Sequence, residues 1–297
     1  MTHRRAVLVM VAVTLMWSIA GVVSRQLEAA RSFEVTFWRS SFNALGLVVL
    51  LAWLRGPAPL MRSLGEGGRT LWLSGLCWCV MFTAFMVAIT LTTVANVLVT
   101  MASAPLLTAL ISRLVLQHRL PARTWGAIVV AGAGIAWMYA GEVRGADGQQ
   151  LLGTLVAAAV PLASATNWAM IQANRNAKGD LLPAVLIGAV LSALITWPLS
   201  LPFAASAHDL GLLALLGVVQ LAIPCLLAVA CARVLSAPEV ALLALLEVIF
   251  GVAWAWLGAG ESPSSSVLVG GALVLGALAA NEAVALRRAP APLTDTP

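Results

Sequence analysis

Two charged residues stand isolated well inside long apolar stretches of this 297-residue chain, Arg39 and Glu247. An ionisable side chain deep in an apolar span is costly and marks a functional hypothesis. Glu247 sits near the middle of the run Pro238–Leu257. It can serve as a site for a substrate amino group or as a proton-coupling carboxyl; equally, it can be a protonated, hydrogen-bonded residue that fixes helix packing. Arg39 lies only some six residues inside the run Phe33–Leu54, roughly 9 Å deep at 1.5 Å per helical residue. A structural or gating role, with its stem reaching out to the interface, is the expected one. The other reading is an anchor for a carboxylate, whose two oxygens match the guanidinium fork. Asn43, one helical turn away, is placed to hydrogen-bond Arg39 in either case.

Enzyme chemistry finds few parts here. The three histidines, His3, His118 and His208, fall in the tail or at the ends of apolar runs, which leaves Glu247 as a possible base with no paired carboxylate beside it. Cys77, Cys79, Cys225 and Cys231 all lie within apolar runs. Cys77 and Cys79 are two apart and point to different helix faces, and all four read as small packing residues. No metal-ligand spacing and no P-loop pattern occurs. No enzyme activity, cofactor or metal is expected.

The neutral residues are more informative. Thr14, Ser18, Gly21 and Arg25 recur at helical spacing, as do Asn96, Thr100, Ser103 and Leu107, and Ser164, Asn167 and Trp168 cluster likewise. Such stripes line a polar cavity or mediate close helix packing in lipid. Trp78, Met81, Phe82 and Phe85 form a bulky stripe. Eleven Trp against one Tyr is unusual. Trp53, Trp72, Trp125 and Trp197 fit an interfacial belt, whereas Trp17, Trp78, Trp168 and Trp254 lie deeper and need a partner for each indole N–H or a wet cavity. The candidate substrate-binding set is Trp17, Ser18, Trp78, Met81, Phe85, Asn96, Thr100, Ser103, Ser164, Asn167, Trp168, Gln220 and Glu247. Arg39 and the in-span prolines Pro105, Pro161 and Pro224 are the candidate gating or structural residues, because proline kinks a helix and frees a carbonyl.

The elements that must position these residues follow from composition. The chain is 61% apolar and 10% charged, against about 45–50% and about 25% in soluble proteins. A soluble fold is excluded. The apolar runs are Ala6–Ser24, Phe33–Leu54, Thr70–Thr90, Thr93–Leu116, Thr124–Tyr139, Leu152–Asn174, Leu181–Leu201, Leu210–Ala232, Pro238–Leu257 and Val267–Leu286. Each suits a membrane helix of ~20 residues, and none shows the alternation of a β-barrel strand. The first run is preceded by Arg4-Arg5 as in a signal peptide, but it is too long for one and reads as the first span. The expected fold class is an all-α polytopic membrane protein with ten transmembrane helices.

Placing both termini in the cytoplasm puts Arg4, Arg5, Arg55, Arg62, Arg69, Arg113, Arg119, Arg123, Arg175, Lys178, Arg233, Arg287 and Arg288 inside. Only Arg25, Arg31 and Arg144 fall outside. The positive-inside rule therefore predicts an N-in, C-in topology. The formal net charge of +5 is accounted for by this asymmetry and implies no nucleic-acid partner.

The two halves share landmarks in one order. Leu15-Met16-Trp17-Ser18-Ile19-Ala20 answers to Ala165-Thr166-Asn167-Trp168-Ala169-Met170, and Ala104-Pro105 to Leu246-Glu247-Val248. Each half closes in a Gly-bearing span, with Gly126, Gly132 and Gly134 in one and Gly270, Gly271 and Gly276 in the other. Five helices per repeat is an odd number, so the second half is expected to be inverted, a common transporter construction. In these motifs, together with Arg39, the stretch from Ala88 through Pro105, the stretch from Ala232 through Glu247 and Gly258-Ala259-Gly260-Glu261, the sequence resembles the ten-helix EamA-type members of the drug/metabolite transporter superfamily. One departure is Leu116-Gln117-His118-Arg119, where that family often has Leu-Gly-Glu-Arg.

The resemblance implies two repeats, residues 6–142 and 152–286, with a cytoplasmic tail at 287–297. It implies a secondary transporter of the bacterial inner membrane, working by alternating access around a cavity lined by spans 1, 3, 4, 6, 8 and 9. Its partners would be a small-molecule substrate and the lipid bilayer. Export of amino acids, including apolar and aromatic ones, is the first expectation, with the YddG-type amino-acid exporters the first subgroup to consider, although no motif here fixes it. Broad-specificity drug or metabolite export, proton-coupled or not, is the alternative. Oligomeric state is left open.

Overall fold

The expected spans are helical in the computed structural model, which describes residues 1–30, 32–92, 97, 100–101, 103–115, 121–139, 148–174 and 180–259, and in the last span 269–270, 272–273, 276–277, 280–281 and 284. Span one is α1 (His3–Ser18) and α2 (Ala20–Ser24); span two is α3 (Ser32–Arg55). A short helix, α4 (Pro57–Gly65), leads to α5 (Arg69–Leu91), which is span three. The described part of span four is chiefly α6 (Ala104–Val115), followed by α7 (Ala122–Tyr139) and α8 (Gly148–Ala173) as spans five and six. Span seven is α9 (Pro183–Thr196) with a terminal 3-10 turn, Trp197–Leu199. Span eight joins α10 (Ala207–Gly217) to α11 (Ile223–Ala232) through a π-helical turn, Val218–Ala222. Span nine is α12 (Ala237–Ala244) and α13 (Leu246–Ala259).

Five helical segments, His3–Ser24, Phe33–Arg55, Arg69–Leu91, Leu152–Ala173 and Ala207–Ala232, are each long and apolar enough to cross a bilayer. Large apolar side chains such as Leu45, Trp53, Leu155 and Leu257 stand exposed on their outer faces, a surface that hydrocarbon, not water, can cover. The chain is an integral multi-pass membrane protein.

Local chemistry sets the helix ends and breaks. Ser206 and Ser236 each accept the backbone N–H three residues on, from Asp209 and Glu239, whose carboxylates return the bond to the serine N–H. These capping boxes start spans eight and nine. Within span eight, Pro224 has no N–H to offer the Gln220 carbonyl; the helix widens there, and Ile223 N–H reaches back five residues to Val218. Spans one and nine are interrupted at Ile19 and Leu245.

Contacts between the two halves dominate the packing. Helix α5 lies on α8 and α9, while span eight lies on α1 and α3, and α3 meets α9. Glycines allow the closest of these approaches. A Cβ on Gly188 would fall 2.3 Å from Trp78 Cβ, and one on Gly217 would fall 2.7 Å from Asn43 N. Hydroxyls stitch the same surfaces: Ser192 Oγ lies 2.9 Å from Ser40 Oγ and 2.8 Å from Thr83 Oγ1, and Ser74 Oγ donates to Asn167 Oδ1 at 2.6 Å.

Carboxylates tie the helix ends. Glu34, at the start of span two, accepts backbone N–H bonds from Ala204 (2.9 Å) and Ala205 (2.8 Å). Asp209, at the start of span eight, accepts them from Glu28 (2.8 Å), Ala29 (3.0 Å) and Ala30 (2.9 Å). Each span thus holds the loop that precedes the other. At the opposite end of these helices Asp180 pairs with Arg55 and, at 3.9 Å, with Arg233.

Candidate functional site

A central cavity opens where the broken helices meet. Its aromatic wall comes from α5, with Trp78, Met81, Phe82 and Phe85, and from α8, with Val160, Pro161, Ser164 and Trp168. Trp78 meets Trp168 edge to face, ring centroids 5.7 Å apart, and lies 5.5 Å from Phe82. The facing wall is built at the three breaks. Trp17 ends α1, Gln220 and Leu221 occupy the π turn, and Glu247 opens α13 beside Leu245. Cys225, Ala241 and Ala244 fill the space between them. Discontinuous helices around a buried site are typical of transporter cavities.

Arg39 projects into this cavity from α3. Arg39 does not reach out to the membrane interface; it is 3% exposed and points inward. The physical reason is a better partner inside. Gln220 Oε1 accepts from Arg39 Nη2 at 2.9 Å and from Nε at 3.2 Å, and the Phe85 ring lies beneath, 5.8 Å from Arg39 Cζ. Asn43 does not bond Arg39: its amide is fully buried, and among the described residues neither its oxygen nor its nitrogen has a partner.

Glu247 lines the same cavity. Among the described residues no hydrogen-bond donor engages its carboxyl. One basic and one acidic group therefore share a pocket whose other walls are largely apolar. Trp17 and Trp78 also line it, and neither indole N–H has an oxygen or nitrogen acceptor among the described residues.

Of the residues singled out in the sequence, Trp17, Trp78, Met81, Phe85, Ser164, Trp168, Gln220 and Glu247 line the cavity, together with Arg39 and Pro161. Others lie elsewhere. Asn167 is fully buried at the α5–α8 contact on Ser74. Ser18 accepts the Trp254 indole N–H at 2.9 Å, which supplies the partner that Trp254 needs, and neither residue lines the cavity. Ser103 Oγ donates to the Thr100 carbonyl, and neither residue lines the cavity. Pro105 and Pro224 are buried near helix starts, outside the lining. Asn96 lies outside the described residues, as do His118, Arg119 and the tail from 285 onward. Sequence reasoning passed over Cys225, Ala241, Ala244 and Val248 because small and aliphatic residues look alike whether they pack or line. All four cysteines are free. Among the described residues no three His, Cys, Asp or Glu side chains converge as a metal site requires.

The fold and cavity define a polytopic helical membrane protein with a buried, two-signed pocket. Residues 4–140 match the EamA-like transporter family, a family of transporters and not of enzymes. A solved crystal structure is similar to the chain at 18% identity, covering 96% of this chain and 98% of its own with a TM-score of 0.75, which shows a shared fold. No curated protein matches the sequence.

Proposed function

We propose that this protein is a secondary transporter of the bacterial inner membrane that exports amino acids with apolar or aromatic side chains. The carrying observation is the pairing of Arg39 and Glu247 in one cavity beside an aromatic wall of Trp78, Phe82, Phe85 and Trp168. A free amino acid presents a carboxylate, an ammonium and a side chain. Burying both charges of such a substrate is favourable only where each meets a partner, and an apolar wall accepts the rest. A cation-binding drug exporter would share its pocket poorly with the Arg39 guanidinium, which favours the amino-acid reading over that alternative.

Alternating access is proposed to occur between two inverted repeats, residues 6–142 and 152–286. The exchanged packing supports this: α5 sits on α8 and α9 as span eight sits on α1 and α3. Gly46 and Gly75 in the first half are separated by the same number of residues as Gly188 and Gly217 in the second, and all four make close inter-half approaches. The concentration of basic residues on one set of loops supports an orientation with both termini in the cytoplasm.

Purified protein in liposomes, assayed for uptake of a labelled amino-acid panel, tests the reading. Uptake of aromatic and branched amino acids above empty liposomes is expected. No amino acid transported above that background would overturn it.

A further inference from the structure

Gln220 has a fixed orientation that chemistry alone assigns. A guanidinium only donates and a backbone carbonyl only accepts. Gln220 Oε1 must therefore face Arg39, and Nε2 must face the Trp17 carbonyl, to which it donates at 3.1 Å. Both ends of the amide are used, and the residue is 2% exposed. The Trp17 carbonyl lies at the end of α1, and Gln220 sits in the π turn of span eight. Such a single-turn widening is frequent at functional sites.

The bonds to Gln220 fall on the Nε–Nη2 edge of Arg39. They leave the Nη1–Nη2 end of the fork without a protein partner among the described residues, although Arg39 lines the cavity. That end is the one that grips a carboxylate through two parallel bonds. Arg39 Cζ also sits over the Phe85 ring, 5.8 Å from its centroid.

We propose that Gln220 is a positioning residue: by holding the side edge of Arg39, and being held itself by the Trp17 carbonyl, it aims the free end of the guanidinium at a substrate carboxylate. This rests on the amino-acid reading above and deepens it. It makes the carboxylate pole of the site a device shared by spans one, two and eight, so that a shift of any one of them loosens substrate from its anchor. Arg39 without Gln220 keeps its charge but loses its aim, because a guanidinium free to rotate forms fewer bonds in register with the two carboxylate oxygens.

The test measures binding of three probes to purified protein: L-phenylalanine, L-phenylalaninamide, which keeps the ammonium and lacks the carboxylate, and 3-phenylpropionate, which keeps the carboxylate alone. Gln220→Leu is expected to weaken L-phenylalanine and 3-phenylpropionate by about tenfold, the loss of roughly one well-aligned charge-assisted hydrogen bond. The amide should stay within about twofold, since its only charge belongs to the other pole. Gln220→Glu, which keeps the side-chain length but engages Arg39 with a charge of its own, is expected to give the same selective loss and serves if the leucine variant does not fold. Equal weakening of all three probes, or none, overturns the positioning role while leaving the amino-acid reading intact. A wild type that binds none of the three overturns both.

Discussion

Gly188 and Trp78 stand nearly backbone to backbone: a Cβ on Gly188 would lie 2.3 Å from Trp78 Cβ and 2.9 Å from the Cys79 nitrogen. Trp78 is a cavity residue, so this crossing of α5 and α9 also places the aromatic wall. Small residues allow such close contact between membrane helices, where there is no hydrophobic force to drive them together.

Gly188→Ala is therefore expected to destabilise the protein by about 1–3 kcal/mol, the usual cost of overpacking a tight contact. Gly217→Ala should cost a similar amount, since its Cβ would lie 2.6 Å from Phe42 Cβ and 2.7 Å from the Arg39 carbonyl. Gly211, with open space around its Cβ position, is the control. Thermal unfolding in detergent measures all three.

The carboxylate of Asp209 is fully buried and accepts backbone N–H bonds from Glu28, Ala29, Ala30 and Ser206. Asp209→Ala strands these donors, each of which costs about 1–3 kcal/mol if it stays buried. The loop before span two should then detach, seen as faster proteolysis or hydrogen exchange across residues 25–30. Asp209→Asn, which keeps an acceptor oxygen, should lose roughly half as much stability.

Glu247 is the acidic pole of the proposed site. Glu247→Gln is expected to weaken L-phenylalanine and L-phenylalaninamide alike, by about tenfold, and to leave 3-phenylpropionate unchanged. This pattern is the converse of the one expected for Gln220→Leu. Transport by Glu247→Gln at the wild-type rate, with the same pH dependence, would remove both its ammonium-binding and its proton-coupling roles.

Trp254→Phe removes the indole N–H that bonds Ser18 Oγ without touching the cavity lining. A loss of about 1 kcal/mol or less in stability, with substrate affinity unchanged, is the expected result in paired unfolding and binding measurements. Trp168→Ala removes an aromatic neighbour of Trp78. It should raise KM for aromatic amino acids by about tenfold and affect short aliphatic ones less.

How legible the site was in the sequence varies with the kind of residue. Glu247, Gln220 and the deep tryptophans Trp17, Trp78 and Trp168 stood out because a polar or bulky group within an apolar run needs a partner or a cavity. The destination was harder. Asn167 and Trp168 are neighbours, yet one turns to Ser74 and the other to the cavity. Span-by-span stripes fix only which residues share a helix face, not what that face meets. The paired glycines were legible in principle from their equal spacing in the two halves, a signal weaker than an apolar run because each is a single small residue.

Residue order alone places this chain in a bilayer and shows roughly where its helices begin and end. Long apolar runs, capping serines and prolines act locally, over a turn or two, and so are written in adjacent residues. The fate of Arg39 depends on packing between distant helices. Its depth in the span allowed it to reach the interface, but Gln220, far away in sequence on span eight, lies within 3 Å of its Nη2 and draws it inward. A guanidinium settles where its donors are best satisfied, and that depends on which helices pack together.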